Sequence, residues 1–314
     1  MRNLPKRERG QAILLVLLSM AVIVTVVLSI VSRSITDIKV TSTEEDSLRA
    51  FSAAEAGVEQ VLITGTSDYN VVVGDAKAVA EKTDFAKGLA EFVLPEEYNA
   101  GESATVWFVS HDANGNIVDR CDTANPCYKT DNASRPLPIK ICWGKEGTGA
   151  DIATTPALEA SVFYTTTDGY GSVKVARITA DPYDSRRLND NKFDLHASDG
   201  SCRINGVNYA FSVAISDLGS APYSIPASTK MGTSGSGRLQ FMKVRILYNT
   251  DLAHKIGVNN GGGVSNLPSQ GIEINSAGTS GEANRKIQII QGYPEPSEIF
   301  NNAVFSGAVQ GISH

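Results

Sequence analysis

Neither glycine nor proline occurs between Gln11 and Ala56, and no charged residue occurs between Ala12 and Ser32. The first absence removes the two strongest helix breakers from a long stretch of chain, and the second makes part of that stretch fit for a bilayer. A convincing small-x-small cleavage site is lacking too, since the apolar run is followed by Ser32-Arg33-Ser34 with a charged residue in the middle. Secretory signal peptides have apolar regions of about 7–15 residues followed by such a site, so this longer run is expected to be retained rather than discarded. No Cys-x-x-Cys occurs, and His111, His196, His254 and His314 are scattered, which argues against a zinc centre. Gly-x-Ser-x-Gly, His-Glu-x-x-His, P-loop and Rossmann glycine patterns are absent too, so no motif points to catalysis and the chain is read as non-catalytic. Lys and Arg are not clustered outside the first ten residues. There Arg2, Lys6, Arg7 and Arg9 stand against Glu8, net +3, so a total of −6 leaves −9 for the rest, and nucleic acid is not an expected partner.

The apolar run itself is about 30 Å long as a helix, the thickness of a bilayer's hydrocarbon. Basic residues on its N-terminal side predict a cytoplasmic N-terminus and an exported remainder. The helix pattern then continues: Ile35, Ile38, Leu48, Phe51, Ala54, Val58 and Leu62 recur at spacings of three and four, as one apolar stripe. One helix of about 80 Å is therefore expected over 11–62, with 11–32 transmembrane and 33–62 amphipathic. Gly57 and Thr64-Gly65-Thr66-Ser67 mark its end, and Phe51 is the residue expected to dock it on the following domain.

Residues 63–314 read as a β-rich, loop-rich ectodomain, making the fold class α+β. Val207, Tyr209, Phe211, Val213 and Ile215 alternate with small or polar residues, and Met242, Val244, Ile246 and Tyr248 do the same with Lys243 and Arg245 on the other face. Turn chemistry predicts hairpins at Asn114-Gly115, between Ala104–Ser110 and Asn116–Asp119, and at Asp168-Gly169, between Leu158–Thr166 and Ser172–Ile178. A third joins Gly271–Asn275 to Arg285–Ile290 through a Gly/Ser loop. The low-complexity stretches 219–237 and 257–271 are expected to be long surface loops, the first separating two β subdomains. Four cysteines in an exported context suggest disulfides. Cys121 and Cys127 bracket a loop that closes easily, leaving Cys142 for Cys202, one of three connectivities.

A short basic leader ending in Gly, then a retained apolar helix with an amphipathic continuation, resembles the N-terminus of type IV pilins. More narrowly, Arg9-Gly10-Gln11-Ala12 with Leu14 and Leu15, and Ala50-Phe51-Ser52-Ala53-Ala54-Glu55-Ala56-Gly57 near the helix end, resemble PilX-type minor pilins and the similar K-type pseudopilins of type II secretion. The resemblance covers the first 62 residues. It implies that 1–10 is a leader, that prepilin peptidase cuts after Gly10 and methylates Gln11, and that the helix is a filament core. The implied partners are other pilin subunits, a membrane assembly platform and the lipid bilayer. The implied location is the cytoplasmic membrane and then a pilus or the cell surface. The fifth residue after that cut, Glu in major pilins, is Leu15 here, which implies a tip or assembly-initiating subunit.

Other readings use the same residues. An uncleaved signal anchor would tether the ectodomain, as an adhesin or other binding module, without any filament. Tyr164, Tyr170, Tyr183, Tyr209, Tyr223 and Tyr248 are candidate binding aromatics, or ordinary packing. Glu55 and Glu59 resemble an acid/base pair, but read better as a solvated helix face. Asp112, Asn114 and Asn116, with Asp119 and Asp122 beyond, resemble the opening of a calcium loop. Ile117 stands where the loop needs Gly and no Glu closes it, so a metal-free turn is the preferred reading and no cofactor is expected.

Overall fold

The computed structural model describes residues 9–66, 68–118, 122, 124–128, 139–165, 173–198, 200, 202–215, 239–261 and 266–295, with side chains from residue 13 onward. It divides into two compact units, Met1–Lys82 with Ile274–Ile289, and Thr83–Glu273 with Ile290–His314.

In the first unit a single helix, α1 (Arg9–Thr64), runs for 56 residues, starting two residues before and ending two after the expected span. Gly65 stops it: at φ +70° its N–H turns back to the Val61 carbonyl at 2.8 Å. Gly57 does not end the helix but lies within it. The helix packs on a sheet ordered β1-β2-β13-β14, formed by β1 (Asp68–Val73), β2 (Ala76–Phe85), β13 (Gly271–Ser280) and β14 (Ala283–Gly292). Two residues, Gly74-Asp75, join β1 to β2, with Gly74 in the left-handed conformation that such turns require. The hairpin of β13 and β14 stands where the third turn was expected, but its connection is just Gly281-Glu282 and the Ser-Ala-Gly-Thr-Ser residues belong to the strand.

The second unit is a sandwich of two five-stranded sheets. The first is ordered β3 (Glu91–Tyr98), β12 (His254–Asn259), β5 (Ile139–Lys145), β10 (Val207–Ile215), β9 (Cys202–Ile204). The second is ordered β4 (Ser103–Trp107), β11 (Leu239–Leu247), β6 (Ala157–Thr165), β7 (Val173–Asp181), β8 (Leu195–His196). Ile141, Trp143 and Phe211 of the first sheet share one core with Val162, Ile178 and Met242 of the second. Burial of each such side chain contributes about 1.5–3 kcal/mol. The strand predicted at 207–215 is β10, residue for residue. β11 ends at Leu247, because Tyr248 takes φ +71°, and both its faces are covered: Lys243, expected to face outward, is 3% exposed.

The hairpin of β6 and β7 forms as expected, paired from Leu158↔Ala180 to Thr165↔Val173, while its Asp168-Gly169 turn lies outside the described residues. The Asn114-Gly115 turn forms too, but among the described residues β4 pairs with β11, and the segment after the turn closes through the His111↔Ile117 bridge. Residues 257–271 are not a surface loop at their ends: Gly257–Asn259 belong to β12, and Leu267, Ser269 and Gln270 are buried. The stretch 219–237 lies outside the described residues, and the strands flanking it, β10 and β11, contribute to the same core. Cys142 is bonded to Cys202 as expected, tying the edge strand β9 to β5 across 60 residues of chain. Cys127 is also disulfide-bonded, and Cys121 lies outside the described residues.

Candidate functional site

From Ile13 to Val31 every large apolar side chain of α1 is between 51% and 67% exposed. That is the exposure of an isolated helix, and no described part of the chain covers it. An 18-residue window here has a mean hydropathy of 3.0, so the helix is long and apolar enough to cross a membrane. Two of its hydroxyls are turned onto the helix backbone: Ser19 Oγ donates to the Val16 carbonyl at 2.9 Å and Thr25 Oγ1 to the Val22 carbonyl at 2.8 Å. Neither then needs water, which suits an apolar medium. Gly10, Gln11 and Ala12 lie in the first turns of the helix, their side chains outside the description, while Leu14 and Leu15 are among the most exposed residues of the run.

Further along, the same helix changes character. Ala50, Ala53, Ala54, Gly57, Val58 and Val61 form a buried face, the three alanines at 0% exposure. Ala53 packs on Ala76 and Ala78, and Val71 closes the cluster. These residues are small for a geometric reason. A Cβ built on Gly278 of β13 would overlap the Ala50 carbonyl oxygen, and one on Gly57 would stand 2.5 Å from Ser276 Oγ. Helix and strand backbones therefore approach as closely as two main chains can. Polar contacts flank the seam: Ser280 Oγ donates to Asp46 Oδ1 at 3.2 Å, and Arg285 donates twice to Ser47 Oγ at 2.8 and 2.6 Å.

Of the predicted stripe this face keeps Ala54 and Val58 but not the large residues. Leu48, Phe51 and Leu62 are 69%, 43% and 45% exposed, so Phe51 does not dock the helix. The helix-end motif is divided by the helix turn, with Ala50, Ala53, Ala54 and Gly57 against the sheet, and Phe51 and Glu55 outside. Glu59 is exposed beside Glu55. Summing hydrophobicity favoured the large residues, whereas the geometry rewards the small ones. An alternating Ala-x-Ala-x-Ala strand at 76–80 opposite an alanine-rich helix was the available signal.

The other candidates fall in the second unit. Asp112 Oδ1 accepts from the N–H groups of Asn114 at 2.8 Å and Asn116 at 2.9 Å, and Oδ2 from Asn116 Nδ2 at 3.3 Å. These bonds, from Asn116 above all, hold the Asp112 carboxyl below the usual carboxylate range. Asp122 Oδ1 does the same for the N–H groups of Ala124 and Asn125. Both carboxylates cap turns, and among the described residues no three His, Cys, Asp or Glu are grouped to hold a metal. Beside the turn, the His111 ring stacks on Tyr293 at 3.9 Å and meets Trp107 edge-on at 4.4 Å. Of the tyrosines, Tyr164 and Tyr209 are 7% and 2% exposed and serve as packing. Tyr183 and Tyr248 lie 5.5 and 3.8 Å from the guanidinium of Arg186, which is itself paired with buried Asp181 at 2.8 Å. Tyr170 and Tyr223 lie outside the described residues. No family model, curated protein or solved structure matches the chain.

Proposed function

We propose that the chain is a minor subunit of a type IV pilus-like filament, acting at the tip or in initiating assembly, without a catalytic role. The division of α1 carries this reading: one half of the helix is apolar and exposed all round, and the other half is held to a sheet by its smallest residues. A helix fixed at one end to its own domain and bare at the other requires a partner outside the chain. Lipid meets that need before assembly, and the helices of neighbouring subunits meet it afterwards. On this reading 1–10 is the leader, Gly10 precedes the cut and Gln11 becomes the methylated N-terminus.

Leu15 sets the position in the filament. A carboxylate in an apolar filament core is tolerated when a neighbour's N-terminal amine pairs with it, because an unpaired charge there costs several kcal/mol. A subunit with Leu15 has no carboxylate to offer, yet its own amine remains available to another subunit. That one-sided pairing suits an end of the filament and not its repeating shaft. Mass spectrometry of the N-terminus in the native host is the test. N-methylated Gln11 is expected, with Gly10→Val blocking the cut, and labelled antibody is expected at filament ends. An intact Met1 would instead support a plain signal anchor carrying a binding ectodomain, and uniform labelling along the shaft would overturn the tip assignment.

A further inference from the structure

A cleft of about 180 Å³ opens in the second unit, between β3, β4 and the segment that follows β14. Its walls include Trp107 and Tyr293, and Glu96 and Glu295 contribute its carboxylates. Tyr98 also lines it. That residue is 8% exposed, and its hydroxyl has no hydrogen-bond partner among the described residues, while its main-chain carbonyl accepts from Asn249 Nδ2 at 3.0 Å. The ring is buried while the hydroxyl, which is not shut away from solvent, is free to bond to a ligand in the cleft. Burial first, and then the charges of Glu96, Glu295 and Glu102, push the Tyr98 hydroxyl up from its ordinary value. It therefore stays protonated in a field that is negative.

The carboxylates keep spare capacity. Glu295 Oε2 accepts from Thr105 Oγ1 and lies 3.8 Å from Lys243 Nζ, which leaves Oε1 open, and Glu96 neither bonds to nor pairs with any described residue. Lys243 offsets part of this charge but is 3% exposed and belongs to β11, outside the lining. Residues 296–314, which follow Glu295, contain no Lys or Arg.

We propose that this cleft binds a primary alkylammonium group, the ammonium held between the Glu96 and Glu295 carboxylates and the Tyr98 hydroxyl, with its alkyl stem along Trp107 and Tyr293. An ammonium offers three donors to three acceptors, and aromatic walls favour a cation over a neutral amide. The inference is independent of the filament reading.

The test is titration of the full chain, in detergent micelles, with n-butylammonium, following tryptophan fluorescence, since Trp107 lines the cleft. Saturable binding is expected. Tyr98→Phe and the paired Glu96→Gln, Glu295→Gln variant are each expected to weaken it about tenfold or more, as loss of a charge-assisted bond does. Circular dichroism unchanged from the parent separates lost binding from lost folding. A short peptide with one internal lysine tells the source of the ammonium: binding identifies a protein side chain, while binding of butylammonium alone identifies a small free amine. Equal binding of the peptide with its lysine acetylated, or no saturation by either probe, overturns the proposal.

Discussion

Where α1 meets its sheet the buried side chains are Ala50, Ala53, Ala54, Ala76, Ala78 and Ala80, with Gly57 and Gly278 between them. In the sandwich they are Trp143, Tyr128, Phe92, Phe108, Phe211 and Met242. One region is held by backbones brought close together, and the other by large side chains filling a volume. The first has no room for an added atom, and the second has no atom to spare. Apolar content alone does not separate them, yet they should fail under opposite kinds of substitution.

The largest effect belongs to deletion in the sandwich. Trp143 is fully buried in β5 and its indole N–H donates to the Pro156 carbonyl at 2.8 Å. Trp143→Ala removes the ring and orphans that carbonyl, so a loss of about 3–5 kcal/mol is expected from urea unfolding of the full chain in micelles, followed by circular dichroism. A loss below about 1 kcal/mol would show that the core is loosely filled and that the contrast with the helix seam is wrong.

Addition should break the seam. Gly278→Ala puts a methyl onto the Ala50 carbonyl, a backbone atom with no rotamer to retreat to, at an expected cost of about 3 kcal/mol. Both tryptophans, Trp107 and Trp143, lie in the second unit, so the loss should show as faster hydrogen exchange at the amides of 76–80 while the fluorescence transition stays in place. A shift in both probes would mean that the two packings unfold as one.

Acid should act on one region alone. His111 is stacked among Trp107 and Tyr293, and burial lowers its pKa to about 4, Asp112 opposing weakly; burial lowers His254 in the same direction. The unfolded chain, with histidine near 6.5, then binds more protons than the folded one between these values. Stability is therefore full above about pH 6.5 and falls as pH drops towards 4. His111→Phe should flatten the fluorescence-detected melting temperature over that window. The first unit contains no histidine, so exchange at 76–80 should not follow it.

How much of this was legible depends on what each residue reports. The apolar run, the continuous helix and β10 follow from composition and period, which act locally and need no partner. Cys142–Cys202 followed from loop chemistry once the other pair was set aside. The docking face was misread because periodicity says where apolar residues recur, not how near another backbone will come. Gly278 announces that proximity only once its neighbour is known. The Tyr98 cleft was invisible for a related reason: Glu96 and Glu295 are 199 positions apart and are brought together by the fold. Lys243 shows the converse, its alternation being right and its burial wrong, because period 2 tells which face a residue takes and not whether that face is covered.

Two smaller substitutions sharpen the comparison at the seam itself. Ser276 Oγ is buried there without a hydrogen-bond partner among the described residues, and it is the atom nearest a Cβ on Gly57. Ser276→Ala should stabilise the first unit by about 1 kcal/mol and should lower the cost of Gly57→Ala, since it removes both the orphan hydroxyl and the collision. Phe51→Ala, on the opposite side of the same helical turn, should change stability by about 0.5 kcal/mol or less, because Phe51 is 43% exposed and packs in none of the described hydrophobic clusters. On the proposed filament reading the contrast is sharpest. If the exposed row of Leu48, Phe51 and Leu62 meets other subunits, Phe51→Ala should lower the yield of assembled filaments while urea unfolding stays unchanged. Measurable destabilisation by Phe51→Ala would restore the large residues as the docking face and reverse the assignment of the two sides of α1.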